Sequence, residues 1–255
     1  MNQIIFGILI LLQFGCKGQH QEKNIDEKIT VVEKVQDTVT KNTIKSLQEI
    51  RLASDTLKNY QEIKNNIKQQ KANYTKSSTN SLSTLFKSSL LHRILPHWEG
   101  TEWSFEGHTS IPKKGKIACG YFVSTTLKHI GVNLNRYKLA QQSPFLEAKS
   151  LALDSDPIEI SENSVNENIT KIRKNLKEGI HFIGFDSSHV GYILKENEQL
   201  YLIHSNYIDS KGVEIEKIEN SIVFASYDKF YLSELSTNEN FLKHWIQGIE
   251  VKIVK

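Results

Sequence analysis

Apolar residues recur at Phe122, Val123, Leu127 and Ile130, counted from Cys119, at intervals of three and four, which predicts one face of an amphipathic helix opening at Cys119. The preceding Lys114-Gly-Lys-Ile-Ala is basic and contains glycine, so the cysteine stands where a loop turns into that helix. Further on, the stretch from Asp186 to Tyr207 reads as two β-branched and aromatic runs around a polar turn, the pattern of a β-hairpin. A loop at Glu196-Asn197, or one of four residues from Lys195 to Glu198, pairs residue 194 with 199. That register sets His189 directly opposite His204, with both side chains on one face.

Elsewhere the patterning is coarser. Leu82, Leu85, Phe86, Leu90 and Ile94 predict the first helix of a folded domain, ended by Pro96. Asn133 to Gln142 reads as a short helix or turn, and Ser143 to Val165 is poorly patterned, with a turn at Asp154–Pro157. Asn166 to Lys177 is a predicted helix terminated by Gly179. Strands are predicted at His181–Phe185, near Ile222–Ser226, at Phe230–Leu235 and at Ile249–Val254, with a helix at Asn240–Gln247. Helices first, then strands joined by short hairpins, indicate the α+β class with an antiparallel sheet.

Upstream of residue 81 the character changes. From Lys17 to about Asn80 the chain is rich in Lys, Glu, Gln, Asn, Ser and Thr, and Ile50, Ala53, Leu57, Tyr60, Ile63 and Ile67 recur at threes and fours. The pattern suggests a charged helical stalk or linker over 17–80, preceding a domain over 81–255. Apolar content of 38% and a mean hydropathy of −0.40 agree with a partly solvated chain. Ile4 to Leu12 is an apolar run of nine residues, too short to span a bilayer, followed by Gln-Phe-Gly-Cys16. This resembles a bacterial lipoprotein signal over 1–16, in which Cys16 becomes lipidated; an ordinary cleaved secretory signal is the alternative. A net charge of +3 with interleaved lysines and glutamates argues against a nucleic-acid partner.

Cys16 and Cys119 are the two cysteines, so no disulfide framework is expected. At a helix start, unpaired N–H groups and the helix dipole favour a thiolate. A nucleophilic cysteine needs a base and a group that orients it, roles open to His189 and to His204, with Asn206 in reserve. Trp103, Phe105 and Gly107 lie in an aromatic, glycine-bearing loop that could line a substrate groove or belong to the core. Lys113, Lys114 and Lys116 could attract substrate carboxylates or be a solvated loop. No His-Glu-x-x-His, metal-spaced Cys pair or Gly-rich phosphate loop occurs, so neither a metal nor a cofactor is expected.

Cysteine at a helix start, His189-Val-Gly opening a strand, and Ile203-His204 ending its hairpin partner resemble the NlpC-type cell-wall cysteine peptidases, a bacterial branch of the papain-like fold. The likeness spans about Leu82 to Lys255. It implies a nucleophile helix packed on an antiparallel sheet, with Cys119 attacking an amide, His189 as general base and His204 orienting it. Trp103-Ser-Phe105-Glu-Gly107 is similar to the family's Tyr-x-Trp-Gly-Gly segment, which with Gly120 would border the substrate. Ala118-Cys119-Gly120-Tyr121 replaces the family's Asp-Cys-Ser-Gly. The resemblance implies an envelope hydrolase acting on peptidoglycan stem peptides, anchored to a membrane by lipid, its protein partner unknown. An acyltransferase or small-amide amidase on the same fold, or a catalytically silent envelope lipoprotein, are the alternatives.

Overall fold

The computed structural model describes residues 59–186 and 188–255. The expected signal, Cys16 and most of the expected stalk lie outside them. Among the described residues no helix is long and apolar enough to cross a membrane.

Helix α1 (Tyr60–Asn73) and α2 (Thr79–Lys87) come first; α2 runs on through a π-helical segment, Ser88–Ile94, into α3 (Leu95–Trp98). The chain thus stays helical past Pro96 and does not end there. The wider turn, in which Leu95 N–H bonds Leu90 O, re-registers the helix just where proline removes a donor. The expected boundary near residue 80 is also displaced. Ile63 and Ile67 of α1 are buried in the main core, and Tyr60 Oη accepts from Trp98 Nε1 at 2.7 Å. The end of the expected stalk is therefore built into the domain.

Helix α4 (Cys119–His129), α5 (Arg136–Ala140) and α6 (Pro144–Ala152) follow, then β1 (Ile158–Ile160) and α7 (Val165–Asn175). Strands β2 (Gly179–Phe185), β3 (His189–Glu196), β4 (Gln199–Asn206) and β5 (Gly212–Lys217) come next. Helix α8 (Ile222–Ala225), β6 (Phe230–Glu234) and α9 (Glu239–Gln247) complete the described elements. The strands form one antiparallel sheet in the order β1-β6-β2-β3-β4-β5, so the class is α+β as expected.

Both faces of the sheet are buried, which is why β2, β3 and β4 read as near-continuous apolar runs. On one face Phe182, Val190, Tyr192, Leu194 and Ile203 pack against Phe122, Val123 and Leu127 of α4. On the other, Ile183, Phe185, Ile193, Leu200 and Leu202 meet Ile169 and Ile172 of α7 and Phe224 of α8. Helix α4 is further bolted down by Tyr192, whose hydroxyl donates to Val123 O at 3.0 Å and shares a 2.7 Å bond with Thr126 Oγ1.

Three further expectations fail. Ile222–Ser226 is not a strand. Ser221 caps a short helix there, accepting from Phe224 N–H at 3.0 Å, and this local bond outweighs the β preference of Ile222 and Val223. Ile249–Val254 contributes a single parallel bridge, Val251 with Leu134. The unpatterned Ser143–Val165 contains α6, with Ser143 as N-cap and Pro144 in its first turn.

Candidate active site

Cys119 is the first residue of α4, and its helix differs from its neighbours in how it begins. Seven described helices start behind a Ser or Asn whose side chain accepts a first-turn N–H: Asn59, Ser78, Asn135, Ser143, Ser164, Ser221 and Asn238. Before Cys119 stands Ala118, which has no side-chain acceptor. The first N–H groups of α4 have no side-chain cap, and those of Cys119 and Gly120, with that of Val190, hydrogen-bond the sulfur and favour the thiolate.

Burial opposes them. Desolvation, with the charge of nearby Glu147 adding to it, pushes the Cys119 thiol up to about 11. Cys119 keeps part of its surface in solvent, so water offsets some of this penalty. Burial thus works against the thiolate that the helix dipole favours.

The loop before Cys119 is fixed from two sides. Ser205 Oγ of β4 donates to Ile117 O at 2.7 Å, and Ala118 N–H bonds Gly107 O at 2.8 Å. Gly107 is required by close approach: a Cβ there would fall 2.6 Å from Ile117 N. Sγ itself lies 4.0 Å from Ser188 O. Together with the Val190 N–H, this sets the sulfur against the backbone on both sides of His189, at the start of β3.

The histidines meet, but not as expected. The turn is Asn197-Glu198, both with positive φ (52° and 61°), so Glu196 pairs with Gln199 and the register moves by two residues. His204 is opposite Gly191, not His189. A shift of two keeps both histidines on one face, and His189 Nε2 lies 2.9 Å from His204 Nδ1. Both residues are buried. Burial, with His204 beside it, drives the His189 imidazole well below its usual range.

A second correction concerns the side of the sheet. His189 pairs with Phe185 and His204 shares a face of β4 with Leu202, so both imidazoles project on the α7 face, whereas α4 packs on the other. The sulfur does not face the rings across a cleft. It reaches the sheet at the edge of β3, in contact with the peptide groups that flank His189, so the turn of the His189 side chain about its own backbone sets the ring–sulfur distance.

Beyond His204 the network continues into β5, which sequence reasoning missed. His204 Nε2 lies 3.1 Å from Glu216 Oε1 and 3.9 Å from Glu214 Oε1. Ser221 Oγ donates to Glu216 Oε1 at 2.5 Å, and Asn206 Nδ2 donates to Glu214 Oε1. Asn206 is thereby engaged elsewhere, and His204 is the residue that contacts His189. The alternation in Val213-Glu214-Ile215-Glu216 is the sequence signal that marks a strand with two carboxylates on one side. The ligand atoms of His204, Glu214 and Glu216 lie within 4.8 Å of one another, but the carboxylates already accept bonds from Asn206 and Ser221.

The aromatic loop only partly joins the site. Trp103 packs 6.2 Å from Tyr207, whose ring stands 5.3 Å from that of His189. Tyr207 Oη is 3.3 Å from Tyr227 Oη, which is 2.9 Å from Ser188 Oγ. Phe105 is 76% exposed. Gly120 is buried, with Ala140 O and Glu147 Oε1 2.7 and 3.0 Å from where a Cβ would stand. Lys116 pairs with Glu102 at 3.3 Å. Comparison of the chain with protein-family models, with curated proteins and with solved structures finds no match.

Proposed function

We propose that the chain is a cysteine hydrolase of papain-like, NlpC type that cleaves an amide bond, with peptidoglycan stem peptides as the substrate class and a lipid anchor at Cys16 holding it in the bacterial envelope. The observation that carries the reading is the uncapped start of α4. Seven other helices use a Ser or Asn cap, and this one leaves its donors to the cysteine. Such donors are what a tetrahedral oxyanion requires, and removing one from a working hydrolase costs about 10²–10³ in rate.

Burial works against charge on both partners, raising the Cys119 thiol and lowering the His189 imidazole, so the chemistry starts from the neutral pair in this reading. His189 takes the thiol proton as sulfur attacks the carbonyl carbon. The N–H groups of Cys119 and Gly120 stabilise the oxyanion, the amine leaves with the proton from His189, and water releases the acyl group from the thioester. His204 orients His189. Trp103 and Tyr207 form the wall beside the base, on which the substrate rests.

Digestion of purified peptidoglycan by wild type and by Cys119→Ala, with the fragments identified by mass, tests the proposal. Hydrolysis generates new free amines that require Cys119. Acyl transfer would yield Cys119-dependent products without them.

A further inference from the structure

We propose that Glu216 sets the proton positions on both histidines and so leaves Nδ1 as the free lone pair of His189. The inference rests on the cysteine-hydrolase reading. A carboxylate oxygen only accepts hydrogen bonds, so His204 Nε2, 3.1 Å from Glu216 Oε1, carries hydrogen. With its one hydrogen held on Nε2 by the carboxylate, the His204 ring presents Nδ1 as a lone pair. That atom lies 2.9 Å from His189 Nε2, which must therefore donate. Neutral His189 with hydrogen on Nε2 has its remaining lone pair on Nδ1.

Glu216 is itself held for this role. The Ser221 hydroxyl oxygen accepts from Phe224 N–H as the cap of α8, which directs its hydrogen to Glu216 Oε1 at 2.5 Å. Glu214, the other carboxylate near His204, is 3.9 Å from Nε2 and accepts from Asn206. In the reaction one proton moves from Sγ to Nδ1 of His189 as the S–C bond forms and the carbonyl π pair moves to oxygen. It passes from Nδ1 to the amine nitrogen as the C–N bond breaks. The hydrogens on His189 Nε2 and His204 Nε2 stay where they are, so Glu216 is a positioning residue whose charge offsets the transient imidazolium through His204.

The test is the imidazole 15N spectrum of the histidine-labelled protein at neutral pH, without substrate. In wild type, His189 and His204 should both carry hydrogen on Nε2. Glu216→Leu should convert His204 to a mixture of tautomers, with His189 following. Glu216→Ala, which also removes the acceptor, gives the same readout should the leucine variant not fold. Glu214→Gln should leave both rings as in wild type. Hydrogen on Nδ1 of His189 in wild type, or unchanged tautomers in both Glu216 variants, would overturn the proposal. The spectrum decides this assignment whether or not peptidoglycan is cut, and cutting alone decides the hydrolase reading.

Discussion

His189 and His204 hydrogen-bond at 2.9 Å although they stand two residues out of register, and the residue opposite His204 is Gly191. A Cβ at Gly191 would lie 2.8 Å from Ile203 O and 2.9 Å from His204 Cβ. The glycine of His189-Val-Gly therefore clears the space through which the two imidazoles approach. Gly191→Ala should lose about 1–3 kcal/mol of stability, the usual cost of overpacking. It should also separate the rings, read as loss of their shared hydrogen bond in the imidazole spectrum. A fully stable Gly191→Ala protein with that bond intact would refute this account of the glycine.

Ala118 gives a prediction in which stability and activity move oppositely. Ala118→Ser supplies the cap that α4 lacks and should stabilise the protein by about 0.5–2 kcal/mol. It also draws on the first-turn N–H groups assigned to the oxyanion, so amide hydrolysis should slow. Denaturant midpoints and turnover of the same preparation check both halves.

Tyr192 separates packing from chemistry. Removing its hydroxyl deletes the bonds to Val123 O and Thr126 Oγ1, so Tyr192→Phe should cost about 1–3 kcal/mol in urea unfolding. The imidazole tautomers should remain as in wild type, because the hydroxyl lies on the opposite face of the sheet.

Stability should depend on pH in two opposed ways. Burial lowers His129 to about 3 and His181 to about 4, and lowers His189 well below its usual range. Below about pH 6.5 the unfolded chain takes up protons that these folded residues refuse, so stability falls as pH falls, by at most about 1.4 kcal/mol per pH unit for each histidine. Glu147 is buried and its carboxyl is raised well above the usual range. Its contribution is present below about pH 4.5 and is lost as pH rises through the folded value. Glu147→Gln should therefore remove a fall that begins near pH 4.5, steepening the acid limb between about pH 4.5 and 6.5 and flattening the decline above it, as measured by urea midpoints from pH 4 to 9.

Much of this arrangement was legible in the chain. The period of Phe122, Val123, Leu127 and Ile130 located the Cys119 helix, and the two β-branched runs located the hairpin. Its register was not legible, because the turn uses Glu198 with positive φ where a glycine would have marked the position. Strand β5 escaped because Gly212-Val-Glu-Ile-Glu-Lys is short and polar, and Glu216 escaped with it. The side of the sheet on which His189 lies could not be read from spacing, since both faces of β3 are apolar and alternation carries no inside–outside signal. Helix α1 was read as stalk because its two core contacts, Ile63 and Ile67, sit in an otherwise polar segment.

The most direct test of the account is the mass-resolved digest of purified peptidoglycan. Wild type should release stem-peptide fragments bearing new free amines, accompanied by a transient thioester on Cys119, and Cys119→Ala should release none. Identical fragments from both proteins, or no fragment from a correctly folded wild type, would contradict it.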